Sequence, residues 1–250
     1  MTWTVELLAQ GYPGASLHNG TLGWSSVALA RGPEGRIALL DTGAFGLRQV
    51  LLERLRAAGV APEQVTDLLL SHLHYDHCDN WTLFPRAAVH VRAAELEWAL
   101  RLPETDPLVP VPVVRALAGS GRVMPFDAGA APAPGIAAVE TPGHSPHHVA
   151  FLVEADPKPV IFAADGAKNL AELLAGEAEM TMDATQSRES IRRLRALWEE
   201  RPEALLIPGH DLPLARRPDG RPERIGRREA GILAVLGEDT AERRRFALGG

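Results

Sequence analysis

One cysteine in 250 residues, Cys78, has no second thiol to pair with, which excludes an internal disulfide and predicts a cytoplasmic protein. No run approaches the roughly eighteen apolar residues that a membrane-spanning helix needs, so no membrane role is expected. The amino-terminal Met-Thr-Trp-Thr-Val-Glu-Leu-Leu lacks a basic stretch followed by an apolar one, which predicts no export signal. A basic excess is also missing: 26 Lys and Arg stand against 32 Asp and Glu, and the formal charge of -6 argues against a protein that holds nucleic acid. Arginines do gather in 188–201 and 216–245, but glutamates are interleaved among them, the pattern of solvated helical faces. Nor is there a Gly-x-Ser-x-Gly turn to mount a serine nucleophile.

A hydrophobic content of 46% is enough for a substantial core, and no linker, repeat or composition break divides the chain, so a single domain over 1–250 is expected. Apolar alternation and turn residues predict strands at 4–9, 25–30, 36–41, 66–70, 87–91, 136–140, 148–153, 159–164 and 204–207. Helical spacing predicts helices at 45–58, ending at Gly59, at 93–102, ending at Pro103, at 187–201 and at 222–236. The Pro-, Ala- and Gly-rich stretch 103–135 carries no motif. Strands dominate both halves, and two β-rich layers with helices outside are the natural way to bury them.

The segment Ser71-His72-Leu73-His74-Tyr75-Asp76-His77 puts three imidazoles and a carboxylate within six residues. Neutral imidazole and carboxylate oxygen are the donors that suit zinc and comparable divalent metals. The apolar run before it predicts a strand, so the histidines are expected on the loop leaving its carboxyl end, where rigid scaffolds hold their chemistry. A polar loop that merely happens to be rich in histidine is the plainer alternative. Against it, four more segments end an apolar run in a turn bearing a potential ligand: Thr141-Pro-Gly-His144, Phe162-Ala-Ala-Asp165-Gly, Ile207-Pro-Gly-His210-Asp and Leu39-Leu-Asp41-Thr-Gly. Glycine at such a turn lets the backbone come close to a metal. Seven of the nine histidines lie in or beside these segments, a clustering that chance does not readily produce.

The His72-x-His74-x-Asp76-His77 signature, followed in order by His144, Asp165 and His210, resembles the metallo-β-lactamase-fold superfamily over roughly residues 37–211. The resemblance implies an α+β fold, an αββα sandwich of two mixed β-sheets flanked by helices, with the site between the inner edges of the sheets. It implies two divalent metal ions, zinc first, with iron or manganese as alternatives. His72, His74 and His144 would hold one, Asp76, His77 and His210 the second, and Asp165 would bridge both. Two such metals share a hydroxide of lowered pKa and polarise a substrate carbonyl. Asp76 is then placed to orient that hydroxide or take its proton, as the catalytic carboxylate. The expected activity is hydrolysis of a small-molecule substrate, with no protein nucleophile required.

Within the superfamily the chain is most similar in look to N-acyl homoserine lactonases: in the His72–His77 segment, the Leu-Phe-Pro shortly after it, Thr-Pro-Gly-His and the closing Pro-Gly-His-Asp. Those lactonases often carry a tyrosine three residues after the bridging aspartate; Lys168 stands there instead, and the only tyrosines are Tyr12 and Tyr75. In some β-lactamases of this fold a lysine at that offset grips the substrate carboxylate, which makes Lys168 a candidate substrate contact. The plainer reading is an exposed lysine opening a helical stretch. His148 resembles the second histidine of the Thr-Pro-Gly-His-x-x-Gly-His pattern in lactonase-like and glyoxalase II-like members, implying that it orients a ligand. His147, where that pattern has glycine, is expected at the surface. Asp41, in the family's Asp-Thr-Gly element, is expected as a hydrogen-bonding support. Cys78 reads as a small buried residue, Trp81 and Phe84 as packing beneath the cluster, and His90 and His18 as structural. A lactonase leads among the reactions. A glyoxalase II-like thioesterase and an iron-dependent persulfide dioxygenase are the alternatives.

Overall fold

Near-continuous apolar runs in short central strands, such as Val27–Arg31, Val149–Val153 and Val160–Ala164, bury both faces of two sheets. The computed structural model describes residues 2–15, 22–127 and 129–249, and His18 lies outside them. The first sheet pairs β1 (Thr4–Ala9), β2 (Val27–Arg31), β3 (Ile37–Leu40), β4 (Asp67–Leu69), β5 (Ala88–Arg92) and β6 (Val123–Phe126) in that order. β1 to β3 are antiparallel neighbours and β3 to β6 parallel ones. Parallel pairs need crossovers. They are supplied by α1 (Arg48–Ala57) between β3 and β4, by the loop with the short α2 (Tyr75–Cys78) between β4 and β5, and by α3 (Ala93–Leu100) and α4 (Val111–Ala118) between β5 and β6.

The second sheet repeats the scheme with β7 (Ile136–Glu140), β8 (Val149–Val153), β9 (Val160–Ala164), β10 (Leu205–Pro208), β11 (Leu214–Arg216) and β12 (Pro222–Arg224), again in chain order. Its one parallel pair, β9 with β10, is bridged by α5 (Leu170–Ala175) and α6 (Ala184–Glu200). Asp183 caps α6 by accepting from Thr185 N and Gln186 N, each at 2.9 Å.

Side-chain direction divides the core into three layers. On β3, Ala38 and Leu40 face the opposite sheet while Leu39 faces the outer helices. On β9, Val160, Phe162 and Ala164 point inward, and Ile161 and Ala163 point to α6. Trp3, Leu69, Phe151 and Ile207 fill the space between the sheets. Leu51 and Leu55 of α1 share a cluster with Leu68 of β4, and Ile191, Leu194 and Trp198 anchor α6, at roughly 2 kcal/mol per fully buried large side chain. The result is the expected αββα sandwich. No helix among the described residues is long and apolar enough to cross a membrane.

Two expectations are corrected. Residues 222–236 are not a helix: they form β12 and then β13 (Gly231–Val235), which pairs with β14 (Arg243–Ala247) in a separate hairpin. Pro222, Gly226 at φ 91° and Gly231 break any helical run, and Arg224 and Arg228 are both drawn to the buried Asp211. The arginines of 216–245 therefore lie largely on strands and turns, not helical faces. The stretch 103–135, which carried no motif, holds α4 and β6; Val111, Val114 and Leu117 bury one face of α4.

Candidate metal centre

Every candidate ligand leaves the carboxyl end of a strand. Asp41 follows β3, the His72–His77 segment follows β4, His144 follows β7, Asp165 follows β9 and His210 follows β10. The strand ends are cross-tied. Gly209 N donates to Ala164 O (2.7 Å), Ser26 N to Gly209 O (2.7 Å), Thr42 N to His77 O (2.7 Å) and Val149 N to Ser71 O (3.0 Å). Ala164 adopts a positive φ of 43°, costly for alanine, which turns the chain out of β9 and aims Asp165 into the cleft.

The donor atoms converge. Those of His72, His74 and His144 all lie within 4.8 Å of one another, and the same holds for His72, His77 and Asp165 and for Asp76, His77 and His210. Asp165 touches both ends of the cluster: its Oδ2 lies 3.0 Å from His144 Nε2, and its Oδ1 lies 3.3 Å from both His77 Nε2 and His210 Nε2. Asp76 Oδ2 lies 3.3 Å from His210 Nε2 and 3.6 Å from His77 Nε2. All seven side chains named as ligands from the sequence thus meet in one place.

Whether these residues suit a cation is tested by their unsatisfied atoms. His72 Nε2, His77 Nε2 and Asp165 Oδ1 are buried without a hydrogen-bond partner, although buried polar atoms are nearly always satisfied. They belong to one of the converging sets, so the donor set fits a bound metal. Burial holds His72 and His144 well below the ordinary imidazole value and takes His74 down to about 4. Neutral imidazole is the form that ligates. Burial acts the same way on His77 and His210, but the carboxylates of Asp76 and Asp165 overcome it and raise both.

Supporting side chains fix the rings. Asp41, fully buried, accepts from Ser71 N and Ser71 Oγ, each at 2.7 Å, and lies 2.7 Å from His77 Nδ1. Ser71 Oγ is also 3.0 Å from His72 Nδ1, so one carboxylate orients two imidazoles and turns their Nε2 atoms inward. His148, taken down to about 3 by burial, lies 2.7 Å from Thr141 Oγ1 through Nδ1 and accepts from Asp165 N (3.2 Å) through Nε2. It steadies the backbone of Asp165. Gly209 makes room for the carboxylate: a Cβ there would stand 1.9 Å from Asp165 Oδ1.

The remaining candidates have other employment. Lys168 is not an exposed lysine; its Nζ lies 2.7 Å from Glu172 Oε1 and donates to Glu179 O at 2.6 Å, and its carbonyl accepts from His210 N at 2.7 Å. That ammonium braces a loop, a use that competes with gripping a substrate anion. His147 is half-buried, with its backbone N–H given to Glu95 Oε2. Cys78 is buried in the core with Trp81 and Phe84, and burial pushes its thiol up, so it stays protonated. His90 Nε2 pairs with Asp67 at 2.8 Å and belongs to none of the converging donor sets. Glu95 and Asp211 carry more than the sequence suggested. Both are fully buried carboxylates beside ligand-bearing loops, and Asp211 joins Leu170 N, Leu212 N, Arg224 and Arg228.

A cavity of about 840 Å³ lies beside the centre. Leu7, Trp24, Phe45 and Leu47 give part of its wall an apolar character, Arg54, Arg228 and Glu229 make the rest polar, and Tyr75 and Asp79, which bracket Asp76 and His77 in the chain, also line it.

Comparison with known proteins adds to this geometry. The family model described as "Metallo-beta-lactamase superfamily" matches residues 20–210. An N-acyl homoserine lactonase of Bacillus cereus is 26% identical over 210 residues, covering 82% of this chain and 76% of that protein. Metallo-beta-lactamase domain-containing protein 1 of Mus musculus is 32% identical over 198 residues, covering 76% of this chain and 65% of that protein. The solved structure of an N-acyl homoserine lactone hydrolase, with the product N-hexanoyl-L-homoserine bound at its catalytic metal centre, superposes with a TM-score of 0.65 at 20% identity, covering 84% of this chain and 94% of the other.

Proposed function

We propose, for a chain that belongs to the metallo-beta-lactamase superfamily as a metal-dependent hydrolase, that it opens the ring of a small lactone carrying an apolar tail. In this reading His72, His74 and His144 hold one divalent metal and Asp76, His77 and His210 a second, with Asp165 reaching both. Zinc is the first assignment, since imidazole nitrogen with carboxylate oxygen suits it. The observation that carries the reading is the position of Asp165. One oxygen faces His144 and the other faces His77 and His210, at 3.0 to 3.3 Å, so a single carboxylate joins the two ligand groups.

Bound divalent metals supply Lewis acidity, which activates a water and polarises a carbonyl oxygen. The chain's own residues do the rest. Asp76 Oδ2, on the partly open side of the cluster, is placed to take a proton from the attacking water and return it to the alkoxide released when the ring C–O bond breaks. Asp41 and His148 hold His72, His77 and Asp165 in place, which keeps the attacking water and the carbonyl aligned. The apolar side chains on the cavity wall, Leu7, Trp24, Phe45 and Leu47, offer the tail a surface to pack against.

The test is elemental analysis of protein purified without chelators, together with rates on acylated lactones, S-acyl thioesters, phosphodiesters and a cephalosporin. Two metals per chain and the highest kcat/KM on the lactones are expected. A single iron with oxygen uptake, or a thioester preference, would replace this reading with one of its alternatives. Asp165→Asn is expected to lower metal content and cut kcat by more than ~100-fold, beyond what loss of an outer hydrogen-bond partner costs.

A further inference from the structure

Glu95 occupies the first turn of α3, directly behind the metal centre, and its side chain is fully buried. Its oxygens accept from three donors: Oε1 from Leu73 N at 3.3 Å, and Oε2 from Ser145 Oγ at 2.9 Å and His147 N at 3.1 Å. No cation pairs with it among the described residues; the nearby Arg92 is given to Glu140 and to His147 O. Burial pushes its carboxyl up to about 7. A buried acid without a countercharge is costly to keep, and glutamine would be the cheaper occupant if only packing mattered.

The addresses of the three donors are the informative part. Leu73 sits between His72 and His74, on the loop after β4 of the first sheet. Ser145 follows His144, and His147 precedes His148, on the loop between β7 and β8 of the second sheet. His72, His74 and His144 form one converging set, yet they come from two sheets with no continuous backbone between them. Besides the backbone bond from Val149 N to Ser71 O, one carboxylate on a third element, α3, joins the two loops at Leu73, between two candidate ligands, and at Ser145, next to the third.

We infer that Glu95 is a positioning residue of the metal centre: its carboxylate sets the separation between the His72–His74 loop and the His144 loop, and so the affinity of the site those three histidines form. This rests on the reading that His72, His74 and His144 hold a metal. Two acceptor oxygens serve both sides at once. Glutamine, with one oxygen and an NH2 group, can satisfy one loop but turns a donor toward the backbone N–H of the other.

The experiment is a competition titration of zinc against a chromophoric chelator, on the full chain stripped of metal, for wild type, Glu95→Gln and His72→Ala. Wild type is expected to bind two zinc ions. In Glu95→Gln one step weakens by about 10- to 100-fold, the same step that His72→Ala abolishes, while the other stays within about threefold. The kcat on the best substrate falls and KM does not. Ser145→Ala, which removes a single donor, weakens the same step by less, and it serves as the second probe should Glu95→Gln fail to fold. Unchanged binding in the variants, or equal weakening of both steps together with a loss of folded protein, overturns the inference. Wild type that binds no zinc, or His72→Ala that binds normally, sinks the parent reading instead.

Discussion

Gly209 has no side chain because Asp165 occupies the space one would need. Its missing Cβ would also lie 2.9 Å from the Ala164 backbone, so neither partner can retreat without moving β9. Gly209→Ala is expected to displace the Asp165 carboxylate and leave at most one metal per chain in a folded protein, as read by elemental analysis beside circular dichroism. Asp41→Asn tests the opposite side of the centre. An amide there must turn its NH2 group toward either Ser71 N or His77 Nδ1, and a 10- to 100-fold loss of metal affinity is expected in a chelator competition. The candidate ligands were legible in the sequence, because their segments end apolar runs at turns and histidine is uncommon enough for seven clustered copies to stand out. Glu95 was not. Ala93-Ala-Glu-Leu-Glu97 offers two similar glutamates, and only tertiary packing buries one and exposes the other.

Strands and helices were legible wherever one period ran uninterrupted. β3 and β9 are unbroken apolar runs bounded by turn residues, and α6 carries Ile191, Leu194 and Trp198 on one stripe. α4 has the same kind of stripe, but Pro110 and Pro112 at its start disguise it. The error at 222–236 came from reading charge interleaving as a helical face when Asp211 was attracting those arginines. Polar ties between strands were also invisible. Asp67 on β4 takes a bidentate contact from Arg36, at 2.7 and 3.1 Å, and one from His90 on β5 at 2.8 Å. Burial alone would raise the Asp67 carboxyl, but the hydrogen bonds from His90, Arg36 and Thr66 outweigh it and hold the group well below the usual carboxylate range. An acid depressed in the folded state contributes stability above its unfolded pKa, and that contribution fades as pH falls through and below that value. Asp67→Asn is expected to cost on the order of 3 kcal/mol in urea melts at pH 7. The gap to wild type should close below pH 4; a gap independent of pH would mean that the pairing is not what stabilises the strands.

At the scale of the whole molecule, the candidate ligands from two sheets meet across the sandwich, so metal bound as proposed would hold the halves together and be linked to folding. Each ion present at a hundredfold excess over its dissociation constant adds about 2.7 kcal/mol to the folded state. Dialysis against a chelator is therefore expected to lower the melting temperature by several degrees, and zinc to restore it; an unmoved midpoint would place metal binding outside the sandwich. The layer order was legible because strands fill both halves of the chain, but the mirrored chain-order pairing of the two sheets was not, since strand neighbours are chosen by contacts that no local pattern encodes. That pairing also sets a timetable. The two sheets are completed one after the other along the chain, and His210 emerges from the ribosome on the order of ten seconds after His77 at about 5–20 residues per second. His144 and Asp165 emerge within that interval, so the set of His72, His74 and His144 is complete while the set of Asp76 and His77 still lacks His210. The two proposed sites would therefore become complete one after the other, the one built from His72, His74 and His144 before the one that His210 closes.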